Sequence, residues 1–204
     1  MGSLRLVSGA IPLKRWKRAA GFVLGFLGGF LALSVIHELG HLVMGWATGV
    51  PIWGATVLHL RVIPFTLELV PGPTLYSITF GAPPNQLAEG LRAAAGCGST
   101  LLVALVALSL RRRSRPAHEF LDGLSLVFAL GGLDLVTYAW IPPLGIPRWI
   151  LFGAHHSEPA VAAALLGIHP IMLHLGVGLV ALGSIGTLAH KKDSPQVEAA
   201  ASAR

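Results

Sequence analysis

The chain is short of the charge that a water-soluble protein of its size carries. Only 12% of its 204 residues are charged, about half of the roughly 25% usual in soluble domains. With a mean hydropathy of +0.70, this deficit points to lipid as the main solvent. Cysteine occurs once, at Cys97, which excludes an intramolecular disulfide and any zinc finger built from cysteines. No long polar linker divides the chain, so residues 1–190 read as one polytopic domain, followed by a tail at 191–204 of disordered composition. A cleavable signal peptide of ordinary shape is not expected. The first apolar run is too long for a signal core and lacks a clear small-residue cleavage site.

Basic residues outnumber acidic ones by 15 to 9, but they do not form a surface for nucleic acid. They fall in short clusters between apolar runs: Lys14, Arg15, Lys17 and Arg18; Arg111, Arg112, Arg113 and Arg115; Lys191 and Lys192. Such clusters mark the cytoplasmic loops of membrane proteins, and no basic domain is left over for a nucleic-acid partner. Four apolar runs, at about 19–46, 93–110, 120–140 and 167–189, approach the roughly 20 residues a crossing helix needs. Placing every cluster in the cytoplasm puts both termini there and alternates the four runs consistently. The fold class expected is an all-α membrane protein with about four transmembrane helices in the bilayer. Residues 51–85, between the first two runs, alternate in places (Val57, His59, Arg61; Thr66, Glu68) and are broken by proline and glycine. They predict short strands or a β-hairpin lying against the membrane.

Against this background HELGH, residues 37–41, is costly. It lies near the end of the first apolar run, and ionisable residues in spans are functional by default. Residues four apart share a helix face, so His37 and His41 can reach one metal ion. Glu38 lies beside them, placed to take a proton from water and return it to a leaving amine, as in metalloproteases with H-E-x-x-H on a helix. Zn2+ suits this donor set, since it activates water and polarises a carbonyl. Two histidines that merely bond to carbonyls of other helices, with Glu38 neutral, would account for one histidine better than for the whole pattern.

HELGH near the end of an early membrane helix resembles the site-2 protease family of intramembrane zinc metalloproteases. LRAAAGCGSTLLVAL is similar to the family segment that opens a core helix with Ala-Gly-Pro, with Cys97 in place of the proline. AWIPPLG resembles the family's Asn-Pro-x-Pro-Leu-Asp-Gly stretch, without the aspartate before Gly145. The resemblance spans residues 19–146 and implies a third metal ligand from an aspartate on a later core helix.

The candidates for that third ligand are Asp122, Asp134 and Glu158, with His155 and His156 next to the last. Counted from the outer ends of their runs, Asp134 and His41 are level to within about one residue's rise, whereas Asp122 is roughly 18 Å away towards the cytoplasm. Asp134 is therefore the first choice and Asp122 a helix-start or interfacial charge. Glu158, in a loop entering the fourth run, stays open as the alternative. His169, His174 and His190 lack partner spacing and read as structural. Together these features predict a zinc metalloprotease with His37, His41 and Asp134 on the metal and Glu38 as general base and acid. Its substrate would be a membrane protein or peptide, cut in or near a transmembrane segment. The alternatives are a catalytically inactive metal-binding protein that holds clients, and a small transporter.

Overall fold

The computed structural model describes residues 13–57, 60–63, 76–114, 116–144 and 157–189. The chain is mostly helical. It runs α1 (Leu13–Ala47), β1 (Ile52–Val57), β2 (Leu60–Ile63), β3 (Tyr76–Phe80), α2 (Gln86–Arg113), α3 (Glu119–Leu130), α4 (Gly132–Trp140), a 3-10 turn (Pro142–Leu144), α5 (Glu158–Leu165) and α6 (Pro170–Ala189). His59, Thr66, Glu68, His155, His156, His190, Lys191, Lys192 and the tail at 191–204 lie outside the described residues.

Two helices, α1 and α2, are long and apolar enough to cross a membrane, and α3 with α4 makes a third if the bent pair is one span. The expectation of four spans is thus met in part. α1 has 35 residues, about 52 Å of helix against a hydrocarbon core of about 30 Å. Its exposed Val23, Leu24, Leu27, Leu31 and Val43 suit an acyl-chain environment. The apolar stretch of α6, Pro170–Gly186, is a shorter helix. The run expected to be a single third span is bent by 41° between α3 and α4. The break falls at Gly131, whose N–H donates to the Phe128 carbonyl at 3.0 Å. A Cβ there would press on Leu33 of α1 and on the Thr100 carbonyl of α2.

Helix ends follow their local sequence. α1 stops in a glycine-terminated motif: Gly49 has φ +74°, Gly49 N–H donates to Trp46 O and Val50 N–H to Gly45 O, the paired bonds of a Schellman turn. α2 starts on Asn85, whose side chain accepts from Ala88 N–H at 2.8 Å, and it ends in Arg111, Arg112 and Arg113, charges that complement the helix dipole. α5 is capped by Ser157, which accepts from Ala160 N–H.

Packing rests on small residues. Without a hydrophobic drive between helices in lipid, close backbone approach supplies the contact. Gly25 and Gly29 of α1 face α3, and a Cβ on Gly25 would collide with the Phe120 backbone. Gly123 of α3 returns the contact against the Phe22 carbonyl, and Gly40 of α1 sits on the Ala95 carbonyl of α2. At one end of the bundle Arg18 pairs with Glu119 at 3.2 Å and Arg111 with Asp122 at 2.8 Å. The start of α1, the end of α2 and the start of α3 therefore lie together, and Asp122 is a helix-start charge in α3.

The segment after α1 forms a three-stranded antiparallel sheet in the order β2-β1-β3, so the expected short strands are present with one more partner than a hairpin has. Phe80 of β3 lies against Gly45 of α1, and the Arg92 guanidinium sits 4.5 Å over its ring. This fixes β3 to the end of the bundle that carries HELGH.

Gly25 and Gly28 give a paired test of the glycine contact. Gly25→Ala should lower stability by about 1–3 kcal/mol through overpacking against backbone. Gly28→Ala, where a Cβ meets nothing within 4 Å, should leave it unchanged or slightly raised. Thermal unfolding of the two variants in one detergent checks this.

Candidate metal centre

His37 and His41 lie one turn apart on α1 and are almost wholly buried, at 5% and 6% exposed. Each ring is oriented by a bond from Nδ1. His41 Nδ1 donates to the Arg92 carbonyl of α2 at 2.7 Å. His37 Nδ1 donates to Asp134 Oδ2 at 3.1 Å, and Tyr138 of α4 stacks on its ring at 5.1 Å between centroids. With each Nδ1 engaged outward, both Nε2 atoms turn inward. They point at each other, 3.2 Å apart.

Glu158 completes the cluster. Its Oε2 lies 3.1 Å from His37 Nε2 and 3.3 Å from His41 Nε2. Glu158 opens α5, where the N-terminal dipole favours a carboxylate. α5 is held against α2 by Gln86 Nε2, which donates to the Leu165 carbonyl at 3.1 Å, and by the contact of Leu165 and Leu166 with Gly90. Burial by itself pushes the Glu158 carboxyl up, but hydrogen bonds from His37 and His41 and their charges outweigh it and hold it at about 2.

Asp134, 4% exposed, is also here, in the first turn of α4 just past the break at Gly131. It meets His37 at the nitrogen turned away from His41 and Glu158. Thr100 Oγ1 is 3.2 Å from the same Asp134 oxygen and 3.0 Å from the Cys97 carbonyl, so its one proton serves either acceptor. The depth count from sequence brings Asp134 to the histidines, and the side-chain geometry puts it behind one of them. Glu158 is the carboxylate beside both Nε2 atoms. Glu38 is half-buried between the two histidines in sequence.

α2 makes the floor. A Cβ on Gly96 would collide with Nε2 of both His37 and His41, so the missing side chain is what leaves room for them. One residue on, Cys97 is 2% exposed, and its sulfur lies within 4.8 Å of donor atoms of His37 and Glu158.

These residues fit a divalent cation. Donors about 2.0–2.1 Å from a tetrahedral zinc ion are roughly 3.3 Å from one another, and the three donors here stand 3.1–3.3 Å apart. Such a cluster is held together by a proton between imidazole and carboxylate or by a cation among the donors. Two carboxyl groups flank His37, Glu158 at the inner nitrogen and Asp134 at the outer one. The outer carboxylate–histidine bond is the arrangement that fixes the tautomer of a metal-ligating histidine.

Of the remaining histidines, His169 Nδ1 accepts from Ile171 N–H at the start of α6, and His174 Nδ1 accepts from Trp140 Nε1 at 3.1 Å. Both are exposed and away from the cluster. Two sequence signals bear on what the reading of the chain missed. The Gly131-Gly132 pair marks the break that puts Asp134 at a helix start, and Ser157 ahead of Pro159 is a helix-start signature that places Glu158 on a rigid element. Gly96 carried no such signal.

Gly96→Ala tests the floor. Alanine is a better helix former than glycine, so α2 should not be weakened locally, but the methyl group should drive the imidazoles apart. Zinc retained by the purified variant should fall well below one ion per chain, read by elemental analysis against wild type.

In comparisons with known proteins, no family model, no curated sequence and no solved structure matches this chain.

Proposed function

We propose that the chain is a membrane-embedded zinc metalloendopeptidase of the site-2 protease type. The observation that carries this is the meeting of His37 Nε2, His41 Nε2 and Glu158 Oε2 at mutual distances of 3.1–3.3 Å, within a motif that also supplies Glu38. His37, His41 and Glu158 would hold the metal. Asp134, first choice from the sequence, takes the role of orienting His37. Zinc bound there supplies Lewis acidity to a water and to a scissile carbonyl.

The chain's own residues do the rest. The Nδ1 bonds of both histidines hold the rings in one tautomer, so no reorganisation accompanies the reaction. Glu38, beside the histidines, accepts a proton from the attacking water and delivers it to the amine that leaves. Helices α1, α2, α4 and α5 enclose the cluster and limit water around it. The substrate is a peptide chain of a membrane protein, opened at the bond to be cut. β2 and β3 are the outer strands of the sheet, and β3, fixed beside the end of α1, offers an edge to which an extended substrate can add by backbone pairing. Lys14, Arg15, Lys17 and Arg18, with Arg111, Arg112 and Arg113, at one end of the bundle, support a cytoplasmic location for that end, and the sequence position of Lys191 and Lys192 supports the same side for the C-terminus.

The closeness of Cys97 to the donors favours one other reading, a closed metal site in a membrane protein that binds clients without cutting them.

Three substitutions separate the roles. Glu38→Gln should keep zinc and lose cleavage of a transmembrane reporter peptide by about 10²–10⁴-fold; undiminished cleavage would remove Glu38 from the base role, and a wild type that holds zinc without cutting the reporter would move the assignment to the client-binding reading. Glu158→Ala should lose the metal. Asp134→Asn should keep a weaker site, with affinity lower by roughly 10–100-fold. Zinc titration of the three variants orders them.

A further inference from the structure

Cys97 is a buried thiol that the proposed chemistry does not use. A buried cysteine is commonly a small apolar filler, and one side of Cys97 fits that description. It lines an apolar cavity of about 180 Å³ between α2, α4, α5 and α6, together with Pro159, Ala162, Ala163 and Leu135. Its other side does not. The sulfur reaches within 4.8 Å of a nitrogen of His37 and a carboxylate oxygen of Glu158, the two residues already bonded to each other at 3.1 Å.

We propose that Cys97 is a fourth, displaceable donor to the metal held by His37, His41 and Glu158, so that the resting centre is closed by the chain itself. The inference rests on the metal-centre reading above. Three observations support it. The trio His37, Cys97 and Glu158 is itself within metal-binding reach. Both Nε2 atoms pack against Gly96 of α2, and Cys97 follows as the next residue. In a tetrahedral shell with zinc–sulfur near 2.3 Å, sulfur stands about 3.6 Å from a nitrogen donor, so the separations from His37 and Glu158, 4.8 Å at most, exceed the coordinated distance by about 1.2 Å or less. The apolar cavity that Cys97 also lines gives the side chain a place to turn when it leaves the metal.

Chemically, binding breaks the S–H bond and forms a sulfur–metal bond, with the proton released to solvent. No oxidant or reductant is involved. Four protein donors leave no open position, the mark of a structural site, whereas a catalytic site keeps one. Departure of Cys97, reprotonated, would convert the first state into the second.

Because the chain has one cysteine, any thiolate signal from the wild-type protein is that of Cys97. The metal-free full-length protein in detergent is titrated with Co2+, and its spectrum is followed in the near ultraviolet and the visible. The expected result is a thiolate-to-cobalt charge-transfer band rising in step with the visible cobalt bands. Cys97→Ser should lose the first and keep the second. A maleimide should label Cys97 in the denatured protein, and in the folded protein more slowly with Zn2+ than without it. Cobalt bound with visible bands but no charge-transfer band, and no protection by Zn2+, would overturn the role of Cys97 and leave the metal centre standing. No cobalt binding by wild type would overturn both. The wild-type measurements decide the matter even if Cys97→Ser does not fold.

Discussion

Two imidazole nitrogens and a carboxylate oxygen meet within 3.3 Å of one another in a chain with two or three helices long and apolar enough to cross a membrane. Such a meeting is repulsive in a medium of low dielectric unless positive charge lies among the donors. The rest of the molecule is arranged around that constraint. α1 supplies both histidines on one face, α2 recedes at Gly96 to admit them, α4 fixes the outer nitrogen of His37 through Asp134, and α5 delivers Glu158.

The architecture that meets this constraint departs from a plain bundle of straight spans. The bend at Gly131 begins a new helix whose first turn holds Asp134, where the dipole favours a carboxylate. The short α5 does the same for Glu158. A break in a membrane helix exposes backbone groups that must be satisfied locally, and here the Gly131 N–H and its carbonyl both bond within the turn. Both carboxylates of the centre therefore sit at helix starts, and their charge is supported before any ion is considered. The inner face of α2, built from alanines, glycines, Cys97 and Thr100, lets the other helices come close enough for these short contacts.

The coordination shell also frames the choice between chemistry and storage. Three donors of the His-His-Glu type leave a position for water, and four close the shell. Cys97 stands at the boundary, one flank towards the donors and the other towards an apolar cavity. On the proposed reading, the position of this one side chain separates a closed shell from an open one.

Much of this was fixed by local rules. The four-residue spacing of His37 and His41 commits them to one face of any helix. The length and apolarity of α1 and α2 mark them as candidate spans, and turn residues announce a β segment after α1. Asp134 reached the site by depth alone, since residues on neighbouring helices at one level must be near. What depth cannot give is rotation about the helix axis, and rotation decided that Asp134 addresses Nδ1 of His37. Glu158, 121 residues from His37 in the chain, came to the inner nitrogens only through the docking of α5 on α2. The third run gave two helices, because glycine at a crowded crossing changes direction where hydropathy continues unbroken, and the fourth gave a shorter apolar helix that starts at Pro170. The sequence by itself determined the chemistry of the donors on α1. Which carboxylate joins them, and how close a thiol stands, depended on contacts between distant segments, where side-chain direction and close backbone approach outweigh any local pattern.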